Sequence, residues 1–141
     1  MGTMTMTWPQ DLPVAQVRVA RPTDKLSDVV RFYCDGIGLR QIGSFENHAG
    51  YSGVMLGLPE RAVHLEFTEH EAGSSPCPAP TADNLLVLYI PDRRAIERIV
   101  NRLAAMGRLP VPPLNPYWEQ KGVTIEDPDG WRVVLMNTSG I

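Results

Sequence analysis

Cysteine and positive charge are both scarce in this sequence. The two cysteines, Cys34 and Cys77, fall in a helical pattern and in a proline-rich segment, so neither a disulfide framework nor a metal knuckle is expected. The net charge is −3 and no run of basic residues occurs, which argues against nucleic acid as a partner. The two isolated cysteines predict a protein of the reducing cytoplasm.

Long apolar segments are also missing. No segment approaches the ~20 apolar residues that a membrane-spanning helix needs. Residues 1–13 have neither the basic start nor the apolar core of a signal peptide, so we interpret them as an N-terminal arm and expect no membrane partner. With 141 residues, of which 43% are hydrophobic and 21% charged, the chain is predicted to form one globular domain.

The sequence contains one pattern of elements twice. In residues 14–70, AQVRVAR alternates as a strand does, and Thr23 or Asp24 is placed to cap a helix whose apolar face has helical spacing. Gly36 and Gly38 are expected to end that helix. Three strand-like segments follow, separated by turn residues: GLRQIGSFE, GYSGVMLGL and AVHLEFTE.

Residues 71–83 form a predicted linker rich in proline and small residues, and residues 84–138 repeat the first order. NLLVLYIPD is typical of a strand, Asp92 is placed to cap a second helix, and Gly107 is expected to end it. RLPVPP, KGVTIE and WRVVLMN are three further strand candidates. Each half therefore has the predicted order β-α-β-β-β.

The spacing of corresponding positions supports the repeat. Gln16 and Asn84 each stand eight residues before an aspartate that is placed to cap a helix, and their offset is 84 − 16 = 68. The offset between Glu66 and Val134 is also 134 − 66 = 68. The predicted fold class is α+β, with two βαβββ modules. If the curved mixed sheets of the two modules face each other, they enclose a cavity.

Alternation along the strands predicts which side chains line that cavity, because successive residues point to opposite faces. An open sheet with one face in water would show a similar alternation. The last strand argues against that alternative, because its second face carries the apolar residues Val134 and Met136. The expected lining combines polar and apolar side chains: Gln16, Arg18, His64, Glu66, Asn84, Leu86, Leu88, Arg132, Val134 and Met136.

The paired units, the HLEF strand and the segment PYWEQKGVTIEDPDGWRVVL resemble the vicinal-oxygen-chelate superfamily. That superfamily includes glyoxalase I, extradiol dioxygenases, and the fosfomycin and bleomycin resistance proteins. The resemblance covers about residues 14–138. It implies a glyoxalase-like fold, a small-molecule ligand and a homodimer, with the cavity formed either within one chain or across the dimer.

In the enzymes of this superfamily, four inward side chains bind one divalent metal. Carried over, these positions fall on Gln16, Glu66, Asn84 and Val134, with Asp83 in place of Asn84 if the register shifts by one. Valine offers no ligand, so no metal cofactor is firmly expected. His64 lies on the same face as Glu66, about 6.6 Å along the strand, which leaves Gln16, His64 and Glu66 as an alternative metal set.

Two functions remain open at this stage. In the first, Glu66 transfers a proton with His64 as a relay, with or without a metal, as in a lyase, an isomerase or a dioxygenase-like member. In the second, the protein sequesters a compound without reaction, as bleomycin resistance members do. A structural alternative is that Glu66 only pairs with Arg18 or Arg132 and joins the sheets.

The two arginines also predict the class of ligand. If Arg18 and Arg132 both face the cavity with only Glu66 to neutralise them, the site carries surplus positive charge and favours an anion. Trp118 is predicted to contact the ligand, since an aromatic ring gives a large apolar contact at low entropic cost. Tyr117 stays undecided between ligand contact and packing.

Overall fold

The computed structural model describes residues 11–60, 62–73 and 77–141 of the chain. It has an α+β architecture of two modules. The elements, in chain order, are β1 (Val17–Pro22), α1 (Leu26–Arg31), which continues as a π-helix (Phe32–Ile37), β2 (Arg40–His48), β3 (Tyr51–Gly57), β4 (Val63–His70), β5 (Leu85–Tyr89), α2 (Arg93–Ala105), a 3₁₀ helix (Pro116–Trp118), β6 (Gly122–Glu126) and β7 (Arg132–Met136).

The first module matches the predicted β-α-β-β-β order. Its sheet has the strand order β1-β4-β3-β2, and β1 runs parallel to β4. Thr23 is buried, and its hydroxyl accepts a hydrogen bond from the Lys25 amide over 3.0 Å, which fixes the entry to α1. The helical segment ends at Gly38, whose φ of 108° favours glycine.

The second module lacks one predicted strand. Its sheet has the order β5-β7-β6, and RLPVPP contributes only an isolated bridge from Val111 to Thr124. The prolines of that segment have no N–H and interrupt a hydrogen-bond ladder. The helix signal was correct, because the Asp92 carboxylate accepts from the Arg94 amide at 2.9 Å and from the Ala95 amide at 3.4 Å.

The pairing register corrects the predicted faces of β5. Ala20 pairs with Glu66, whereas Val87 pairs with Val134. The offset between the last strands of the two modules, β4 and β7, is therefore 134 − 66 = 68 residues. The offset between their first strands, β1 and β5, is only 87 − 20 = 67 residues. Gln16 therefore corresponds to Asp83 (16 + 67) and not to Asn84. Leu86 and Leu88 were expected to face the cavity, but they pack against the core, because they pair with the core residues Val133 and Leu135.

One hydrophobic core joins the modules through their helices. It combines α1 and the following π-helix with α2 and β7. Leu103 packs directly over Gly36, where a side chain would collide with it. Arg102 donates to the Gly36 carbonyl at 3.0 Å and to the Ile37 carbonyl at 3.1 Å. The two sheets stay separate and do not close around a cavity, which corrects that part of the predicted fold.

The helices are short, and none among the residues described above is long and apolar enough to span a membrane.

Candidate functional site

The Asp-Pro-Asp-Gly turn between β6 and β7 is organised by one buried carboxylate. Asp127 is 1% exposed, and its Oδ1 accepts from the amides of Asp129 at 2.8 Å and Trp131 at 3.0 Å. Gly130 has a φ of 83°, a conformation that glycine adopts without strain. The carboxylate thus holds the turn together from inside.

The same carboxylate connects the turn to the first module. Its Oδ2 accepts from Arg21 Nη2 at 2.7 Å and from the Tyr33 hydroxyl at 2.8 Å. Burial raises the pKa of Tyr33 well above its ordinary value of 10.0, and the negative charge of Asp127 raises it further. The Arg21 guanidinium lies between the Phe67 ring, at 5.0 Å, and the Trp131 ring, at 4.9 Å.

A second polar cluster lies on the face of the first sheet that turns away from the helices. Arg18 Nε donates to His64 Nε2 over 2.8 Å, and Arg18 Nη1 donates to a Glu66 oxygen over 3.2 Å. Because Nε2 accepts a hydrogen bond, the imidazole proton of neutral His64 is on Nδ1. His64 is 3% exposed and its Nδ1 has no partner among the described residues. Strands β1 and β4 therefore bring together three of the predicted site residues.

Arg132 does not join this cluster. It pairs with Glu126, its neighbour across the β6–β7 hairpin, over 3.2 Å, and donates to the Pro112 carbonyl over 3.0 Å. Among the described residues, Arg18 pairs with Glu66 and Arg132 with Glu126, so each arginine has its own carboxylate. The expectation that two arginines share Glu66 and leave a surplus positive charge is wrong.

The polar residues that were predicted to point inward at the starts of β1 and β5 are exposed, and they lie just before these strands. Asn84 Oδ1 accepts from the amide and the hydroxyl of Thr81, at 3.1 and 2.7 Å, so that its oxygen shapes a local turn. Asp83 and Gln16 are exposed. Local hydrogen bonding of short polar side chains competes here with the predicted inward orientation.

The predicted apolar positions of β7 lie beneath the loop that precedes β6. Val134 is fully buried and Met136 is 5% exposed. Both lie against the Gly122 Cα, where the Trp118 carbonyl also approaches closely. Trp118 is half-buried and meets the exposed Tyr117 ring edge-on at 4.9 Å. The loop of the same chain thus covers the face on which the superfamily places a metal ligand.

These residues do not fit the divalent metal that the superfamily resemblance implies. Val134 has no donor atom, Glu66 is engaged by Arg18, and Asn84 by Thr81. Over residues 11–60, 62–73 and 77–141, no three histidine, cysteine, aspartate or glutamate side chains are grouped for metal binding. The alternative set of Gln16, His64 and Glu66 also meets an obstacle, because His64 Nε2 already accepts from Arg18.

A mainly apolar cleft opens between the facing edges of β1 and β5. Its volume is about 500 Å³. Three residues predicted to bind ligand, Asn84, Leu86 and Arg132, line it, whereas Gln16, Arg18, His64, Glu66, Trp118, Val134 and Met136 do not. The remaining lining residues are Val19, Ala20, Arg21, Pro22, Tyr33, Leu65, Phe67, Cys77, Leu85 and Trp131.

Sequence reasoning missed the role of Arg21, Tyr33 and Asp127. The sequence pattern assigned no role to Asp127 or to Tyr33. An alternating strand that ends in arginine, and a tyrosine on an otherwise apolar helix face, were the available signals of a buried polar partner.

Comparison with known proteins identifies relatives over most of the chain. Residues 17–68 match the YycE-like N-terminal domain, and residues 83–137 match the YycE-like C-terminal domain. The uncharacterized protein YycE of Bacillus subtilis (strain 168) is 52% identical over 127 residues, which cover 90% of this chain and 91% of that protein.

Solved structures show the same fold. The 2.0 Å crystal structure of YycE from Bacillus subtilis superposes with a TM-score of 0.89 at 49% identity, over 96% of this chain and 98% of that one. The trypanothione-dependent glyoxalase I of Leishmania major gives 0.67 at 17% identity, over 85% and 84% of the two chains. The fosfomycin resistance protein FosX of Listeria monocytogenes, complexed with Mn(II) and 1S,2S-dihydroxypropylphosphonic acid, gives 0.65 at 12%, over 86% and 90%. The superfamily resemblance of the sequence is thereby confirmed.

Proposed function

Because this chain belongs to the YycE-like family and has the glyoxalase-like fold of the vicinal-oxygen-chelate superfamily, we propose that it binds a small anionic molecule at Arg18. The bound molecule lies on the open face of the first sheet and is held without chemical change. The observation that carries this proposal is the arrangement of Arg18, His64 and Glu66 on that face.

Arg18 is prepared for an anion by its neighbours. His64 and Glu66 accept from two of its nitrogens and fix the plane of the guanidinium, while the side chain stays 47% exposed. A fixed guanidinium loses little conformational entropy when it binds a planar or tetrahedral anion with further hydrogen bonds. The phosphonate in the FosX complex is an anion of this class.

A homodimer is part of the proposal. Strand β1 is an edge strand, and Val17 and Val19 on it are 45% and 57% exposed. Exposed apolar edges favour association. Arg18, His64 and Glu66 line none of the five described clefts, which range from about 280 to about 760 Å³. A second copy at the β1 edge that also reaches the opposite face of the strand, where Arg18 lies, would give these residues the enclosing wall that one chain does not provide.

The cytoplasmic location predicted from the sequence stays a prediction.

Proton transfer at Glu66 is the second candidate function. The Glu66 carboxylate is the group of the cluster that can accept a proton, and one of its oxygens lies 3.2 Å from Arg18 Nη1. Because Glu66 accepts a hydrogen bond from Arg18, a ligand bound to Arg18 would lie beside the Glu66 carboxylate. A metal is not part of either candidate, because the residues at the superfamily's metal position do not fit one.

The test of binding is calorimetric titration with propylphosphonate, with propan-1-ol as the neutral analogue. The wild type is expected to bind the phosphonate only. Arg18→Gln removes a charge-assisted hydrogen bond of about 1.5–3 kcal/mol, which corresponds to a loss of affinity of roughly tenfold to a hundredfold. Arg31→Gln is the control, since Arg31 is exposed and pairs with Asp28 on α1. Equal binding of the alcohol, or an unchanged Arg18 variant, would refute the proposal.

The two candidate functions are separated by isotope exchange. A bound anion with an acidic C–H, such as phosphonoacetate, is incubated with the protein in D₂O and followed by proton NMR. Exchange that depends on protein and is lost in Glu66→Gln supports proton transfer. Tight binding without exchange supports sequestration.

A further inference from the structure

The cleft between β1 and β5 forms a second site that lies apart from the Arg18 cluster. Its volume of about 500 Å³ suits a small molecule. Val19, Leu65 and Phe67 of the first module form one wall, and Leu86 and Trp131 of the second module form the other. None of Arg18, His64 and Glu66 lines it, so a ligand in this cleft would not touch the proposed anion site.

A column of flat groups borders the cleft. The Arg21 guanidinium lies between the rings of Trp131 and Phe67, at 4.9 and 5.0 Å, and Phe67 stacks on Tyr33 at 5.0 Å with an interplanar angle of 25°. Trp131 is held in place because its Nε1 donates to the Cys77 carbonyl over 2.8 Å. A half-buried indole fixed on one side offers a preorganised flat wall to a planar ligand.

The polar groups that line the cleft are mainly donors. Asn84 Oδ1 is occupied by Thr81, so the side-chain amide NH₂ is the group that remains for a ligand. Arg21 and Arg132 line the cleft, while the carboxylates that pair with them, on Asp127 and Glu126, do not. No acidic residue is among the described lining residues. Such a site recognises an acceptor, and a guanidinium prefers a carboxylate.

We propose that this cleft binds a planar aromatic carboxylate. The aromatic ring lies against Trp131 and between the aliphatic side chains of Val19 and Leu86. The carboxylate lies at the end of the cleft where Asn84 and Arg132 supply N–H donors.

The test uses 2-naphthoate as the probe and 2-naphthamide, which has the same ring without the charge, as its neutral analogue. Calorimetry on the full chain is expected to show at least tenfold tighter binding of the carboxylate. In ¹H–¹⁵N NMR spectra, the Trp131 indole N–H and the amides of Ala20 and Leu85 are expected to shift.

Asn84→Asp is the discriminating variant. An aspartate retains the acceptor oxygen for Thr81 and places a negative charge beside the carboxylate. We expect it to bind 2-naphthoate about tenfold more weakly and 2-naphthamide unchanged. Val19→Trp fills the cleft from an exposed position of the edge strand and is expected to weaken binding of both probes.

Arg18→Gln separates this proposal from the preceding one. It is expected to lose phosphonate binding and to retain 2-naphthoate binding. The inference is overturned if 2-naphthoate does not bind, if Asn84→Asp binds it with wild-type affinity, or if the shifted resonances lie around Arg18 and Glu66. It is also overturned if binding requires the dimer to dissociate, because the cleft would then be covered by a second copy.

Discussion

Arg21 and Asp127 lie 106 residues apart in the sequence, and Arg21 Nη2 donates to Asp127 Oδ2 over 2.7 Å. Their side chains are 12% and 0% exposed. A second aspartate, Asp129, lies with its Oδ2 3.7 Å from Arg21 Nη1. A charge pair so far from water is stable only when both partners are present, so each module depends on the other for its electrostatic balance.

Asp127→Asn is predicted to destabilise the fold by about 3–5 kcal/mol, because it leaves the buried Arg21 charge without a full counter-charge. Urea denaturation measures the free energy of unfolding. The matched control is Asp28→Asn, which breaks an exposed pair with Arg31 on α1 and should cost about 0–1 kcal/mol. Equal effects of the two substitutions would contradict the structural role of Asp127.

Tyr33→Phe is predicted to change how stability depends on alkaline pH. The folded-state pKa of Tyr33 is raised, so the folded protein retains this proton more strongly than the unfolded chain does. The stability that protonated Tyr33 contributes is fully present below pH 10.0, the ordinary pKa of tyrosine. It is lost as the pH rises above that value. Wild type should therefore lose more stability than Tyr33→Phe between about pH 9 and about pH 11.5. Parallel curves in urea unfolding would contradict this.

Protein purified without added metal is predicted to hold no tightly bound divalent ion at the superfamily's position. Val134 replaces a ligand there, and Glu66 is paired with Arg18. Elemental analysis before and after dialysis against divalent metals measures the content. Stoichiometric zinc, nickel or iron that is lost in both Gln16→Ala and Glu66→Ala would show that the prediction is wrong.

Val17→Lys is predicted to convert a homodimer into monomers, because it places a charge on the exposed β1 edge. Sedimentation velocity measures the change. Leu109→Lys serves as the control, since Leu109 is a 66% exposed apolar residue in a loop away from β1. A monomeric wild type, or a variant that still dimerises, would remove the support for a second copy over β1.

The elements that sequence patterns predicted well are those with local causes. Asp92 caps α2 through its own carboxylate, and Gly38 ends the first helical segment with a positive φ. The strand at RLPVPP was wrong because the apolar pattern outweighed the missing N–H groups of its prolines. The face of β5 was wrong because a one-residue change in register moves every side chain to the opposite face.

In the candidate site, too, the features with local causes were predicted and the others were not. Arg18, His64 and Glu66 were predicted to share one face, and they do, because alternation within β1 and β4 sets that face and their parallel pairing joins them. The partner of Arg132 was not predicted, since Glu66 was the carboxylate expected beside it. Only the hairpin register places Arg132 opposite Glu126.

The sequence by itself determined the two-module order, the helix ends and the absence of a ligand at Val134, because each depends on residue type and on spacing within a few positions. The tertiary structure alone decided that Arg21 and Tyr33 meet Asp127, that a proline-rich loop covers Val134, and that a cleft opens between β1 and β5. Those relationships join residues that are far apart in the chain, and packing of α1 and α2 into one core brings them together. Local propensity carries no information about such distances, which is why burial and partner choice had to come from the fold.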